Sequence, residues 1–173
     1  MKRILRGIIA VFALILVLPS CTYKLSLSGS VLPPNMKTIR VDLFENNAAL
    51  VVNTLSISFT EALKDRIRTT TRLSIVRNEA DAVLSGNITD YSIAPVSVQA
   101  SNGTTAPIAN QSRLSITVNV KYTNDLQKKD NFESSFTKFA NFTGDINSQE
   151  PALIADITKQ LTEDIFNKAF DNW

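Results

Sequence analysis

Residues Leu114-Ser-Ile-Thr-Val-Asn-Val-Lys-Tyr-Thr123 are the most informative segment of the chain. Leu114, Ile116, Val118, Val120 and Tyr122 alternate with Ser115, Thr117, Asn119, Lys121 and Thr123. A period of two sends successive side chains to opposite faces of a strand. One face here is apolar and mostly β-branched, the other polar. Such a strand belongs to a sheet with one face buried and one wet.

The flanking segments extend this sheet. Ala82–Val98 reads as a long β segment, with Leu84 and Ile88 on one parity and Tyr91 and Ile93 on the other. The change of phase predicts a bulge near Asp90, and Pro95 is expected at an edge or kink. Gln99–Asn110 is polar, holds Gly103 and Pro107, and reads as a long hairpin loop and a candidate partner contact. Asn124–Asn131 is a charged turn. Phe132, Phe136, Ala140 and Phe142 then mark another strand, with Phe139 on its opposite face. Nearer the N-terminus, Ile39, Val41 and Leu43 make Met36–Phe44 a strand with one buried face, and Leu73–Arg77 is a shorter one. Tyr23–Gly29 also alternates, before Leu32-Pro33-Pro34-Asn35 breaks any regular element.

Two segments change the period. Between Thr54 and Thr70, Leu55, Phe59, Ala62, Leu63 and Ile67 recur at three- and four-residue steps, the stripe of an amphipathic helix. Asn53 or Thr54 is its N-cap, and the β-branched run Thr69-Thr70-Thr71 ends it. From Pro151 to Trp173 the stripe is Ile154, Ile157, Leu161, Ile165 and Ala169, flanked by Phe166 and Phe170. Ser148 or Gln149 starts this helix, and Pro151 is tolerated in its first turn. The order strand, helix, three or four strands, helix predicts an α+β two-layer sandwich. Its mostly antiparallel sheet of four or five strands is packed by two helices within one domain, residues 36–173.

Composition narrows the chemistry. The 173 residues include 18 Lys+Arg, 16 Asp+Glu, no His and a single Cys. His-dependent triads, His or Cys metal clusters and intramolecular disulfides are therefore absent. Glycines at 7, 29, 86, 103 and 144 leave no G-x-G-x-x-G or phosphate-binding loop. Residues 1–20 carry Lys2, Arg3 and Arg6 and no acid, so 15 basic side chains face 16 acidic ones in the remainder. That balance gives no basic footprint for nucleic acid. Glu79 with Asp81, and Glu163 with Asp164, are the densest carboxylates. A turn and a solvated helix face account for them better than paired acid–base catalysis, so the chain is read as a non-enzyme.

The leader carries the clearest motif. Met1–Arg6 is cationic, and Gly7–Leu18 is an uncharged apolar run. It suits the core of a signal peptide but is short of the roughly 20 residues of a spanning helix. Leu18-Pro19-Ser20-Cys21 resembles the bacterial lipobox, with an aliphatic residue at −3, a small one at −1, and a thiol to carry diacylglycerol. Residues 1–20 are thus read as a cleaved lipoprotein signal peptide, Cys21 as the lipidated residue, and 21–35 as lipidated segment and linker. With about 0.8 kcal/mol per buried CH₂, two or more acyl chains anchor stably where one does not. No cofactor is expected beyond this covalent lipid. Thr22–Gly29 lacks any acid, which favours the periplasmic face of the outer membrane in lipoprotein sorting.

Arg66, Arg68, Arg72 and Arg77 gather where the first helix ends and the next strand begins. They are candidates for phosphate groups of an anionic lipid, which Arg binds bidentately. Placement of cations against the helix dipole is the other reading. The Phe-rich segments 132–142 and 166–170 are read as core rather than lipid cavity.

Several stretches together resemble one family, the LptE-like lipoproteins of Bacteroidetes-type bacteria. They are Tyr23-Lys-Leu-Ser-Leu-Ser-Gly29, Lys37-Thr-Ile-Arg-Val41, Phe44-Glu-Asn-Asn-Ala48, Ser58-Phe-Thr-Glu-Ala-Leu-Lys-Asp65, Ile88-Thr-Asp-Tyr-Ser-Ile-Ala-Pro95, Leu114–Val120 and Ile165-Phe-Asn-Lys-Ala-Phe-Asp-Asn-Trp173. The resemblance implies an outer-membrane lipoprotein that assists lipopolysaccharide assembly as partner and plug of an LptD-type β-barrel, with lipopolysaccharide as the molecule handled. An auxiliary lipoprotein of an ABC-type phospholipid or other envelope transport system is the alternative. On the lipobox reading, Cys21→Ser is expected to abolish incorporation of labelled fatty acid; unchanged labelling would refute it.

Overall fold

The alternating segment forms the middle of a sheet. The computed structural model describes residues 32–33, 35–50, 52–96 and 111–170. In it β5 (Ser112–Asn124) pairs antiparallel with β4 (Ala82–Pro95) on one side and β6 (Phe132–Phe142) on the other. Leu114, Ile116, Val118, Val120 and Tyr122 are all buried, as their parity requires. Fully burying one such side chain is worth about 1.5–3 kcal/mol, so this row alone is a large part of the core. The register slips between Ile88 and Asp90, making Thr89 the extra residue of the bulge predicted there. Pro95 stands at the last pair of β4, opposite Ser112. The Tyr23–Gly29 segment, Cys21, the loop Gln99–Asn110 and Trp173 lie outside the described residues.

The two helices are α1 (Leu55–Thr70) and α2 (Glu150–Phe170). Leu55, Phe59, Leu63 and Ile67 of α1 meet Ile157, Leu161 and Ile165 of α2 in the core with the inner row of β5. The fold is an α+β two-layer sandwich, two helices on one face of an open mixed sheet. Strand order is β3-β1-β4-β5-β6, with β1 (Thr38–Val41) and β3 (Ser74–Ile75) short, and β2 (Glu45–Asn46) pairing β4 beyond β1. Most of the ladder is antiparallel, as expected from the sequence. The edge made by β1, β2 and β3 is parallel. Its cause is connectivity: α1 carries the chain from β2 to β3 as a crossover, and a crossover returns the strand in its original direction. Thr54 holds the N-cap position in a helical conformation and makes no side-chain cap bond. Thr71 closes α1, its amide and hydroxyl both donating to Ile67 O.

The first strand departs from its expected reading. Alternation placed Leu43 inside, but Leu43 is 55 % exposed while Phe44 is fully buried. Val41 pairs with Leu84 and Glu45 with Asn87, so this edge spends one more residue than β4 and the side-chain phase flips. The flip is stabilised by α1. Thr60 Oγ1 accepts from the Phe44 amide at 3.1 Å, and Ser56 Oγ donates to Phe44 O at 2.6 Å. A backbone that leaves the ladder needs other partners, and the helix supplies them. This also explains why Thr60 is buried within the apolar stripe while Ala62, expected in the stripe, is only half-buried.

Phe44 packs edge-on against Phe59, ring centroids 5.1 Å apart, and its other side rests on Gly86 of β4. A Cβ at Gly86 would lie 2.7 Å from Phe44 Cε1 and 2.1 Å from Asn119 O. Asp81 ties the starts of β1 and β4: one carboxylate oxygen accepts from the amides of Lys37 (2.8 Å) and Thr38 (2.9 Å) and from Thr38 Oγ1. These bonds, the Lys37 amide first, hold the Asp81 carboxyl below its ordinary 3.8.

Two outcomes follow. Gly86→Ala should cost about 1–3 kcal/mol or more in urea unfolding, because backbone must move to admit the methyl; an unchanged midpoint would contradict the packing. Asp81 has a lowered carboxyl in the folded state, so its contribution is present above pH 3.8 and lost as pH falls through the lowered value. Asp81→Asn should therefore melt below the parent at pH 6, and the gap should close on acidification below pH 3.8. A gap independent of pH would refute the charged staple.

Candidate functional site

β2 and β6 both run in the direction of β4, so the helices that follow them return side by side and parallel to each other. Contacts between them fix the alignment. Arg66 of α1 pairs with Glu163 of α2 at 3.1 Å and stands over the ring of Phe166 at 5.9 Å. Upstream of that contact, Ser58 and Ala62 of α1 and Ala155, Thr158 and Thr162 of α2 line the space between the helices. The result is a groove of about 650 Å³, lined at one end by Val52, Thr54, Glu150 and Pro151 and at the other by Arg66 and Thr69. Two buried polar atoms at this groove, Arg66 Nε and Thr158 Oγ1, have no hydrogen-bond partner among the described residues. Buried polar groups without partners are few in native folds and each calls for a cause. At the far end, Tyr91 of β4 donates to Glu150 Oε1 at 2.5 Å, fixing the first turn of α2 over the sheet. Burial first, and then Glu150, push the Tyr91 phenol well above its ordinary range.

The four arginines do not share one face. Residues 66 and 68 are about 200° apart around a helix. Arg66 turns to α2, while Arg68 faces away, paired with Asp65 at 2.7 Å. Arg68 and Arg77 line a second depression, of about 530 Å³, together with Arg40 and Lys64. Asp42 and Glu61 share it, bonded to Arg40 at 2.9 Å and Lys64 at 2.7 Å. Arg72 is exposed and lines neither hollow. Arg40 and Lys64 carry no motif of their own; Lys64 stands one helical turn from Arg68 on α1, and the tertiary fold brings Arg40 of β1 and Arg77 to the same depression.

Of the four singled-out carboxylates, three have partners and Glu79 is exposed in the turn before β4. Glu163 holds Arg66, Asp164 holds Lys138 of β6 at 2.7 Å, and Asp81 ties strands together. Tyr122 is surrounded by Phe132 and Phe170, centroids 5.6 and 5.8 Å away, and burial pushes its phenol up to about 12. Phe166 and Phe170 extend this packed cluster, which is core as expected. Phe139 points to the other face, 48 % exposed, with the Arg113 guanidinium 3.8 Å above its ring.

The outer face of the sheet carries the remaining polar rows. Thr117 and Thr137 hydroxyls bond across β5 and β6 at 2.9 Å, and Arg113 Nε donates to Asn141 Oδ1 at 3.0 Å. Asn87 and Asn141, which sit in glycosylation-like triplets, are strand residues of these rows. No helix covers this face among the described residues.

Comparison with known proteins agrees with this architecture. A hypothetical protein of Chlamydia trachomatis superposes with a TM-score of 0.53 at 9 % identity, covering 79 % of this chain and 99 % of that one. The rare lipoprotein B of Shewanella oneidensis gives 0.50 at 12 % identity, covering 76 % and 92 %. At such identities the likeness concerns the fold alone. No curated protein matches the sequence. The LptE family, described as lipopolysaccharide-assembly, matches residues 36–169, from two residues before β1 to the last turn of α2. The chain belongs to the LptE lipopolysaccharide-assembly family.

Proposed function

We propose that the protein is an outer-membrane lipoprotein, tethered at the periplasmic face through acyl chains on Cys21, that assists lipopolysaccharide assembly as the non-catalytic partner and plug of an LptD-type β-barrel. The observation that carries this reading is the family match over residues 36–169. Two further features support it. The lipobox before Cys21 supplies an anchor, and the uncovered sheet face is built of Ser, Thr and Asn rows that already bond to one another. Transmembrane barrels have polar interiors, so a plug must offer hydrogen-bonding groups there, and this face does. Arg68 and Arg77, with Arg40 and Lys64, are the cations placed to meet lipopolysaccharide phosphates. Affinity purification of the full chain in mild detergent is expected to bring down an LptD-type barrel. Repeated recovery of intact lipoprotein without any barrel would overturn the reading.

A further inference from the structure

The sheet ends in two strands of very different length. β3, at one end, has two residues, whereas β6, at the other, has eleven and pairs only with β5 among the described residues. β6 meets β5 through consecutive residue pairs with no register shift, and it holds no Pro or Gly. Edge strands are usually blunted by shortness, by Pro or by a bulge, because a row of unpaired amides and carbonyls invites another strand. β6 has none of these. On its inner face Phe132, Phe136 and Ala140 pack against the core yet are only half-buried, so the edge also leaves apolar surface uncovered.

The chain itself delivers a strand to this edge. Leu32 and Pro33 line a hollow of about 180 Å³ together with Asn131 and Phe132, where β6 begins, and Phe170 at the end of α2. From there the chain turns, the Met36 amide donating to Pro33 O at 2.9 Å, and enters β1 at Thr38. The residues before Leu32 therefore leave beside the start of β6, at the opposite side of the sheet from the strand they feed. Just upstream, Tyr23, Leu25 and Leu27 alternate with Lys24, Ser26 and Ser28, giving one apolar and one polar face. At about 3.3 Å per residue Tyr23–Gly29 spans roughly 20 Å, within the roughly 33 Å of β6, and the step from Gly29 to Leu32 covers about 10 Å. So short a tether holds the segment at about millimolar effective concentration, which a second copy or a free peptide has to match.

We propose that Tyr23–Gly29 adds to the free edge of β6 as an antiparallel strand. The entry point sets the direction: the segment runs toward Leu32, hence toward Phe132, opposite to β6. Tyr23, Leu25 and Leu27 then extend the inner row of Phe132, Phe136 and Ala140. Lys24, Ser26 and Ser28 join the exposed outer row of Glu133, Ser135 and Thr137. The added strand supplies partners for the amides and carbonyls along the outward side of β6. The pairing itself does not require acyl chains. Taken with the reading of Cys21 as the lipidated residue, on which this consequence rests, it carries the anchor to the Phe142 end of the sheet and turns that end to the membrane.

The test is hydrogen–deuterium exchange of the purified full chain in mild detergent, read peptide by peptide. Amides of Tyr23–Gly29 and the outward half of those in Phe132–Phe142 are expected to be protected. Leu25→Asn with Leu27→Asn removes the apolar face of the segment. It should speed exchange in both segments about tenfold or more, the scale of one or two backbone hydrogen bonds, while β5 stays protected as the sign of an intact fold. Ser26→Asn, on the other face, should leave both segments slow. Three results would overturn the proposal: fast exchange along the outward side of β6 in the parent chain, β6 protection unchanged when Tyr23–Gly29 is replaced by Gly and Ser of equal length, or protection that rises with protein concentration, as a second copy on the edge requires. Lipid on Cys21 and capture of a barrel are read by separate measurements, so failure of either leaves this result standing.

Discussion

The inner face of the sheet has to be kept from water, and its width dictates how. Five strand positions at about 4.8 Å span roughly 20 Å, whereas a helix covers about 10 Å. One helix would leave half of the row Leu114, Ile116, Val118, Val120 and Tyr122 and its neighbours in solvent. Two helices side by side suffice, and strand direction makes them parallel. The rest of the surface follows from that arrangement. The seam between the helices is a groove, no helix among the described residues covers the second face of the sheet, and the ion pairs Arg66–Glu163 and Lys138–Asp164 link α2 to α1 and to β6.

Much of this was legible from side-chain period. The alternation of β5 and β6, the phase change near Asp90 and, apart from Ala62, the α1 stripe each read correctly because burial on one face leaves a pattern of two or of 3.6. The edge was less legible. Leu43 looked internal because alternation assumes an unbroken strand, and nothing local announced that Phe44 would take its amide and carbonyl partners from Thr60 and Ser56, far along the chain. Parallel pairing of β1 to β3 is likewise a property of the crossover, not of the strands. Of the four arginines grouped by sequence, helical geometry separates Arg66 from Arg68 and sets Lys64 beside Arg68, and the tertiary fold adds Arg40 and Arg77. The groove had no sequence signal beyond small residues at Ala62, Ala155 and Thr158, which look the same in any close helix pair.

In the proposed role the polar sheet face and a lipid anchor on Cys21 would divide the labour. An anchor keeps the domain within reach of one membrane, and a face of paired hydroxyls and amides meets a polar wall without leaving its own groups unbonded. Of the candidate carboxylates, Asp81, Glu163 and Asp164 are tied to backbone amides or to a cation, a structural use of charge, while Glu79 is exposed. Recognition through fit is consistent with the family to which the chain belongs.

Depleting the protein in its native cell and quantifying lipopolysaccharide exposed on the cell surface weighs this role against that of an auxiliary lipoprotein for another envelope exporter. An assembly factor predicts that surface lipopolysaccharide falls while its total synthesis continues. Unchanged surface lipopolysaccharide after full depletion would contradict the account.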